Sequence, residues 1–328
     1  MSATFRVVAT DRVSKKGLAP LRDDERFEVV RIDDSSDARF GAELETASGL
    51  IVRSATTVDA QMLERAPELR VVGRAGVGVD NIDVAAASER GVAVMNAPGG
   101  NTVSAAELTM ALLLSVARRV AEADRSMREG KWERSKFQGV ELRGRTLGVI
   151  GAGRIGGAVA ERCRAFGMEV IVNDPYLPAD RLAELRFHVV EMETLLELAD
   201  VITLHVPLTA ETRGLIGEAA FDTMKKGAFL INVSRGGVVD ETALARALVQ
   251  GTIGGAGLDV YETEPLSAES PLLSAPNLVL TPHLGASTKE AQVQVALEVA
   301  ASLRAALAFG DLTSAINAAE IARAAGLS

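Results

Sequence analysis

The sequence predicts an α/β protein made of two Rossmann-like or flavodoxin-like parallel-sheet domains with a cleft between them. Apolar strand candidates alternate with helical stretches through both halves of the 328 residues, the pattern of a doubly wound parallel sheet. A last amphipathic stretch, 287–309, is expected to return to the first domain and make it discontinuous. The expected division is therefore a substrate-binding domain, 1–98 plus 287–328, and a nucleotide-binding domain, 99–286.

Length and composition favour a globular protein without a nucleic-acid partner. Hydrophobic residues make up 48% of the chain and charged residues 24%, and the formal net charge is −9. No basic stretch offsets that charge. The single cysteine, Cys163, suits a reducing compartment. The most apolar run, 110–117, is too short to span a bilayer, and charged residues near the start argue against a signal peptide. We therefore expect a cytoplasmic protein without a membrane segment.

The first domain is predicted from five strand candidates with helices between some of them. The strands are expected at 5–9, 27–32, 50–52, 69–72 and 92–95, and helices at 59–66 and 84–90. A loop at 73–78, here called the first glycine loop, lacks the spacing of a nucleotide loop. We assign it to an anionic substrate, which exposed backbone N–H groups there could hold.

A long helix is expected to cross from the first domain to the second. Ser104 and Glu107 have the spacing of a capping box, and apolar periodicity from 108 to 120 continues into a charged segment that ends at Gly130. In the second domain, further strands are expected at 201–204, 228–233, 255–258 and 278–280. Helices are expected at 182–185, 192–198, 219–224 and 241–249.

A second glycine loop, 151–156, carries the strongest functional signal. It joins an apolar run at 146–150 to a helical stretch, and Gly151, Gly153 and Gly156 have the G-x-G-x-x-G spacing of a dinucleotide site. Asp174 ends the next strand, eighteen residues after Gly156, where a carboxylate binds the ribose and repels a 2′-phosphate. This pattern predicts NAD, and the alternative is a glycine-rich turn without a ligand.

Polar residues just beyond strand ends are the candidates for chemistry, because ligands of parallel sheets bind there. Arg235 could bind a carboxylate through its planar guanidinium, unless it forms only a surface salt bridge. His283 could take the proton of a hydroxyl that is being oxidised, unless it is structural. Glu264 could hold one tautomer of His283, although a loop acid is usually only solvated. His188 is expected to be structural, and His205 to shape the cofactor pocket.

Several longer motifs resemble those of the D-isomer-specific 2-hydroxyacid dehydrogenases. Family-level matches are the second glycine loop, NVSRGGVVD at 232–240 and Pro282-His283; matches to members that act on a phosphorylated acid are 52–57, 73–81, 131–134 and 282–291. The resemblance covers nearly the whole chain. It implies NAD-dependent oxidation of 3-phospho-D-glycerate, the first step of a route to serine.

The resemblance also implies roles for individual residues, and no metal. The catalytic set would be Arg235, Glu264 and His283. The cofactor residues would be Gly151, Gly153, Arg154, Ile155, Gly156, Asp174, Val206, Val233, Ser234, Asp259, Gly285 and Ala286, with Asp259 facing the nicotinamide carboxamide. The substrate residues would be Arg53, Ser54, Arg74, Gly76, Val77, Gly78, Asn101 and Arg134. Arg134 would come from a neighbouring subunit, which implies a homodimer through the nucleotide-binding domain.

Two other functions fit the same motifs. A reductase of glyoxylate or hydroxypyruvate would not need the extra arginines, and an NAD-sensing binding protein would resemble the dehydrogenase-fold transcriptional corepressors. A phosphorylated acid carries about three negative charges at neutral pH, which Arg53, Arg74, Arg134 and Arg235 could offset. Many members of the family carry a C-terminal domain that senses serine. This sequence ends soon after the last helix, so serine feedback through such a domain is expected to be absent.

Overall fold

The structure is a computed structural model that describes residues 5–178 and 187–324. It confirms the predicted fold class, with one five-stranded and one seven-stranded sheet. The chain divides into a discontinuous first unit, Met1–Asn101 with Ala286–Ser328, and a second unit, Thr102–Gly285. The helix predicted at 182–185 lies outside the described residues.

The first unit is built on a parallel sheet whose strands are arranged in the order β2-β1-β3-β4-β5. The strands are β1 (Phe5–Ala9), β2 (Phe27–Arg31), β3 (Gly49–Val52), β4 (Val71–Arg74) and β5 (Ala93–Met95). The helices between them are α1 (Ala19–Arg22), α2 (Arg39–Glu45), α3 (Ala60–Glu64) and α4 (Val84–Glu89). The winding direction reverses between β1 and β3, and ligands of such sheets bind at the carboxyl ends beside that point.

The second unit contains a parallel sheet with strand order β12-β11-β10-β9-β6-β7-β8. Its strands are β6 (Thr146–Ile150), β7 (Glu169–Asn173), β8 (His188–Val189), β9 (Val201–Leu204), β10 (Phe229–Asn232), β11 (Gly255–Leu258) and β12 (Leu278–Leu280). The described helices are α5 (Thr102–Ala117), α6 (Val120–Arg128), α7 (Arg154–Ala165), α8 (Met192–Leu198), α9 (Glu218–Thr223) and α10 (Glu241–Gln250), with short 3-10 helices at Arg134–Phe137 and Pro271–Ser274. Here the winding reverses between β6 and β9.

The predicted last helix is present as α11 (Lys289–Phe309), and a shorter helix, α12 (Ala318–Ala324), follows it. The side chain of Thr288 caps the start of α11, and Gly310 ends it in a left-handed conformation. Among the described helices, α11 alone is long and apolar enough to cross a membrane by length and composition. Its Val299 and Leu303 are nevertheless fully buried in the core of the first unit. We therefore interpret α11 as a core helix.

Three local predictions are wrong. The helix expected to continue to Gly130 is broken at Arg119, which has a left-handed φ of 53°, and the carbonyl of Ala117 accepts a hydrogen bond from the N–H of Val140 instead of from the next helical turn. The capping box fails because α5 begins at Thr102, so Ser104 is a buried residue inside the first turn. The first glycine loop begins later than expected, since β4 extends to Arg74.

Candidate active site

The second glycine loop joins β6 to α7 at the point where the winding of its sheet reverses. Gly151 has a φ of +87°, and a Cβ atom on Gly156 would lie only 2.0 Å from the carbonyl oxygen of Gly151. A Cβ on Gly153 would meet no described atom within 4 Å beyond its chain neighbours. No described side chain caps α7, which begins at Arg154. The loop therefore offers open space and free helix N–H groups, an arrangement that fits a pyrophosphate.

Asp174 lies beside this loop at the end of the neighbouring strand β7. Its Oδ2 accepts a 2.8 Å hydrogen bond from the N–H of Ala152, and its Oδ1 accepts a 3.1 Å bond from the N–H of Tyr176. A carboxylate has about four acceptor positions, so the two bonds leave capacity for a ribose hydroxyl. The strand order thus brings the predicted ribose-binding acid against the predicted pyrophosphate loop.

His205 follows β9 on the other side of the second glycine loop. Its Nε2 lies 2.9 Å from the hydroxyl of Thr203, and burial lowers the pKa of His205 to about 3. A Cβ on Gly151 would lie 2.8 Å from the carbonyl oxygen of His205. His205, with a neutral imidazole, therefore packs against the second glycine loop and supports its turn. His188, in contrast, is exposed on the edge strand β8.

Arg235, Glu264 and His283 follow the neighbouring parallel strands β10, β11 and β12. His283 Nδ1 lies 2.7 Å from Glu264 Oε2, and the two side chains are 46% and 37% exposed. Glu264 Oε1 also accepts a 3.1 Å hydrogen bond from the N–H of Tyr261. With Nδ1 bound to the carboxylate, Nε2 is the ring nitrogen left to exchange a proton with a substrate.

The backbone that carries His283 is fixed by the buried Asp259. The carboxylate oxygen Oδ1 accepts hydrogen bonds from Thr281 Oγ1 at 2.6 Å and Leu284 N at 2.7 Å, and Oδ2 accepts one from Gly285 N at 2.8 Å. Burial raises the pKa of Asp259, and these bonds oppose the shift in part. His283 has a left-handed φ of 54°, so this network holds a conformation that is unfavourable for a residue with a side chain. Sequence reasoning assigned Asp259 to the nicotinamide and missed this bracing, which has no short-range signal.

The loop that carries Arg235 packs directly on the chain leading to Glu264. A Cβ on Gly236 would lie 1.7 Å from the carbonyl oxygen of Tyr261, so only glycine fits there. The buried Asn232 donates through Nδ2 to the Arg235 carbonyl at 2.9 Å, and its Oδ1 accepts from both the N–H and the hydroxyl of Ser234. The fold therefore brings the loops of Arg235, Glu264 and His283 together at the carboxyl ends of three neighbouring strands.

Other predicted cofactor residues surround this edge and the glycine loop. A Cβ on Gly285 would contact Val233 Cγ1 at 3.3 Å and Asp259 Oδ2 at 3.4 Å. A Cβ on Gly151 would lie 2.9 Å from Val206 Cγ1. These residues therefore pack beside the second glycine loop and the loop that carries His283. Arg134 opens the exposed 3-10 helix Arg134–Phe137, next to the 76% exposed side chain of Trp132.

The predicted substrate residues of the first unit lie at or after the ends of β3 and β4, except for Asn101, which lies between β5 and α5. Arg53 and Ser54 follow β3, and the guanidinium of Arg74 lies over Gly76, where a Cβ would be 2.1 Å from Nη1. Asn96 Nδ2 donates to the carbonyl of Val77 at 2.5 Å and so holds the first glycine loop. Among the described residues, the buried Oδ1 of Asn101 has no hydrogen-bond partner. Two arginines and a glycine loop at adjacent strand ends form a frame suited to an anion.

A family model and the sequence of a related enzyme both match this chain. Residues 110–285 match the family described as "D-isomer specific 2-hydroxyacid dehydrogenase, NAD binding domain". A D-3-phosphoglycerate dehydrogenase of Archaeoglobus fulgidus is 51% identical over 90% of this chain and 56% of its own length. The chain thus spans about half the length of the curated relatives it matches.

Two solved structures match over nearly their whole length. A Thermus thermophilus protein has a TM-score of 0.85 at 39% identity, over 95% of this chain and 100% of its own. An NADPH-dependent glyoxylate/hydroxypyruvate reductase from Sinorhizobium meliloti has a TM-score of 0.84 at 32% identity, over 97% of this chain and 98% of its own. A glyoxylate/hydroxypyruvate reductase thus shares the architecture of this chain, so architecture alone does not identify the substrate.

Proposed function

Because the chain belongs to the D-isomer specific 2-hydroxyacid dehydrogenases, we propose that it catalyses the NAD-dependent oxidation of 3-phospho-D-glycerate to 3-phosphooxypyruvate, the first step of the phosphorylated route to serine. The observation that carries the chemistry is the 2.7 Å contact between His283 Nδ1 and Glu264 Oε2. The choice of substrate is supported by the relative from Archaeoglobus fulgidus and by the arginines of the first unit.

NAD is the cofactor that the second unit fits. The open position at Gly153, the uncapped start of α7 and the carboxylate of Asp174 suit a dinucleotide without a 2′-phosphate. Bound NAD would supply the hydride acceptor for the oxidation. Arg154 and Ile155 would line the pyrophosphate and adenosine side, and Val206, Val233, Ser234, Asp259, Gly285 and Ala286 would line the remainder.

The acid–base work belongs to His283 and Glu264. As the hydride leaves C2 of the substrate, His283 Nε2 accepts the hydroxyl proton, and the positive charge that develops on the ring is stabilised by Glu264 at Nδ1. In reduction the same nitrogen returns the proton. Arg235 binds the substrate carboxylate through two parallel N–H donors and polarises the adjacent oxygen.

The anionic substrate explains the arginines of an otherwise acidic protein. We assign Arg53, Ser54, Arg74, residues 76–78 and Asn101 to the phosphorylated acid, and Arg134 to the substrate of a neighbouring subunit in a homodimer. The proposed setting is the cytoplasm. The role of Arg134 is tested by Arg134→Ala, which should raise KM for the acid far more than KM for NAD, and equal effects would count against its role in trans.

The reaction is tested by NADH formation at alkaline pH with 3-phosphoglycerate, set beside glycerate, lactate and 2-hydroxyglutarate. We expect turnover of the phosphorylated acid with the highest kcat/KM, and loss of that turnover in His283→Ala. Turnover of an unphosphorylated acid with equal or better efficiency would refute the substrate and favour the reductase. No turnover of any acid, with NADH still bound, would favour an NAD-sensing binding protein.

A further inference from the structure

We propose that Asp11 and Asn81 are positioning residues for the substrate: together they hold the 53–56 loop in the shape that presents Arg53 and Ser54 to an anionic acid. The inference rests on the proposed function, because it concerns residues assigned there to the phosphorylated acid. Neither Asp11 nor Asn81 belongs to that set. Each acts through the backbone of the loop.

Asp11 is a buried carboxylate at the carboxyl end of β1, beside the point where the winding of the first sheet reverses. Its Oδ2 accepts hydrogen bonds from Arg53 N at 2.8 Å and Thr56 N at 3.0 Å, and its Oδ1 accepts one from Thr56 Oγ1 at 2.6 Å. Asp11 is only 9% exposed. A buried carboxylate is costly unless its oxygens are bonded, and all three of these bonds go to one short loop.

The backbone at Asp11 is strained, and this supports a specific role. Asp11 and Arg12 have φ values of 56° and 54°, two consecutive left-handed residues that both carry side chains. Such a conformation persists only where the surroundings over-determine it, and it is concentrated at functional sites. Here the hydrogen bonds to Arg53 and Thr56 stabilise the strained backbone, because they fix the direction of the Asp11 carboxylate.

Asn81 holds the same loop through its backbone carbonyl groups. Its Nδ2 donates to the carbonyl of Arg53 at 2.7 Å and to the carbonyl of Thr56 at 2.6 Å. Asn81 lies shortly after the first glycine loop, so this amide ties the chain that follows β4 to the loop that follows β3. Arg53 and Thr56 are therefore each held at both N–H and C=O, while Ser54 between them is exposed. Asp11 and Asn81, here called the clamp, therefore fix the backbone of Arg53 and Thr56 and leave Ser54 accessible to a ligand.

The hydrogen bonds of Asp11 predict which residue types can take its place. A carboxylate behind an anion-binding loop adds repulsion for the substrate, so its charge is not the useful property. In Asp11→Asn, the amide oxygen can still accept from Arg53 N and Thr56 N, and the amide N–H₂ can donate to the Thr56 hydroxyl. Asp11→Ala offers none of these bonds. A positioning role thus predicts that asparagine rescues binding of the acid and alanine does not.

The test compares steady-state KM values for 3-phosphoglycerate and NAD in five proteins: wild type, Asp11→Ala, Asp11→Asn, Asn81→Ala and the control Asn317→Ala. Asn317 is a fully buried amide of the first unit whose side chain accepts a hydrogen bond from Val94 N and donates to Ser88 Oγ and Val92 O, away from both loops. We expect Asp11→Ala and Asn81→Ala to raise KM for the acid about tenfold or more, by misplacing contact groups. Their KM for NAD should not change, and Asp11→Asn should stay within about twofold of wild type on both.

Asn317→Ala should lower Tm as the other alanine variants do, with both KM values unchanged. The proposal is overturned if Asp11→Ala and Asn81→Ala leave KM for the acid unchanged, if they raise both KM values equally, or if Asn317→Ala raises KM for the acid as much. If Asp11→Ala does not fold, Thr56→Val, which removes only the hydroxyl bond, must raise KM for the acid or the proposal falls. Absence of wild-type turnover would overturn the proposed function as well, whereas wild-type turnover with unchanged variants overturns the clamp alone.

Discussion

The two glycine loops follow parallel strands in the two units, yet their glycines serve different purposes. In the second loop the backbone itself requires glycine: Gly151 turns the chain, and the carbonyl oxygen of Gly151 fills the position of a Cβ on Gly156. In the first loop the neighbours are side chains. A Cβ on Gly73, the next-to-last residue of β4, would meet Leu303 Cδ1 at 2.4 Å, and one on Gly76 would meet the guanidinium of Arg74.

The difference shows what each loop can offer an anion. The second loop leads at once into α7, whose free N–H groups and dipole suit a pyrophosphate. The first loop leads into no described helix until Val84, and it offers instead the guanidinium of Arg74, which lies over the buried Gly76. A strand followed by glycines is thus compatible with two kinds of anion site, and the glycine spacing decides between them. Four predictions, three at glycines and one at His205, test this contrast.

Gly156→Ala should have the largest effect, because its Cβ would overlap backbone that cannot move without opening the turn. We expect the dissociation constant for NADH to rise about 100-fold and the free energy of unfolding to fall by about 1–3 kcal/mol. Fluorescence titration with NADH and urea unfolding measure the two effects. Normal NADH binding by this variant would show that close packing of α7 on the turn is not needed.

Gly153→Ala separates cofactor binding from folding. Since a Cβ there meets no described atom within 4 Å, Tm should equal that of wild type. The same methyl group would stand where the pyrophosphate approaches, so KM for NAD should rise about tenfold while KM for the acid stays constant. A lowered Tm with unchanged KM for NAD would contradict the assignment of this open space to the cofactor.

The sequence predicted most of this contrast but not the parts that depend on distant contacts. Strand ends were placed within about two residues because apolar runs and glycines are local signals. The break at Arg119 could not be predicted, because the group that bonds to the last carbonyl of α5, Val140 N, lies in a later segment. The bonds of Asp11 to Thr56 and of Asp259 to Gly285 join residues 45 and 26 positions apart, and nothing in the neighbouring sequence announces them.

Gly76→Ala tests the first loop. The new methyl group would displace the flexible end of Arg74 and leave backbone packing intact, so Tm should change little. Moving one guanidinium away from the anionic acid should raise its KM about fivefold without changing KM for NAD, since a charge-assisted hydrogen bond is lost. Arg74→Lys is the matched variant and should show the same selectivity. An increase confined to NAD would refute the assignment of this loop.

The smallest expected effect concerns pH and the partly buried His205, whose carbonyl group packs against Gly151 of the second loop. The pKa of His205 is about 3 in the fold against 6.5 for an ordinary histidine, so the unfolded chain takes up the proton first as the pH falls. Stability from the neutral imidazole is therefore present above pH 6.5 and is lost progressively toward pH 3. The wild-type free energy of unfolding should therefore fall between pH 7 and pH 6. In His205→Gln this fall should be smaller, by less than about 1 kcal/mol. Urea unfolding measures this, with the exposed His188→Gln as a control that should behave as wild type.

The central claim is that the cofactor and the anionic acid are held by different glycine loops. It is tested most directly by measuring KM for NAD and for 3-phosphoglycerate in Gly153→Ala and Gly76→Ala side by side. We predict a crossed result, in which Gly153→Ala raises only the KM for NAD and Gly76→Ala raises only the KM for the acid. Both variants raising the same KM, or each raising both values equally, would contradict it.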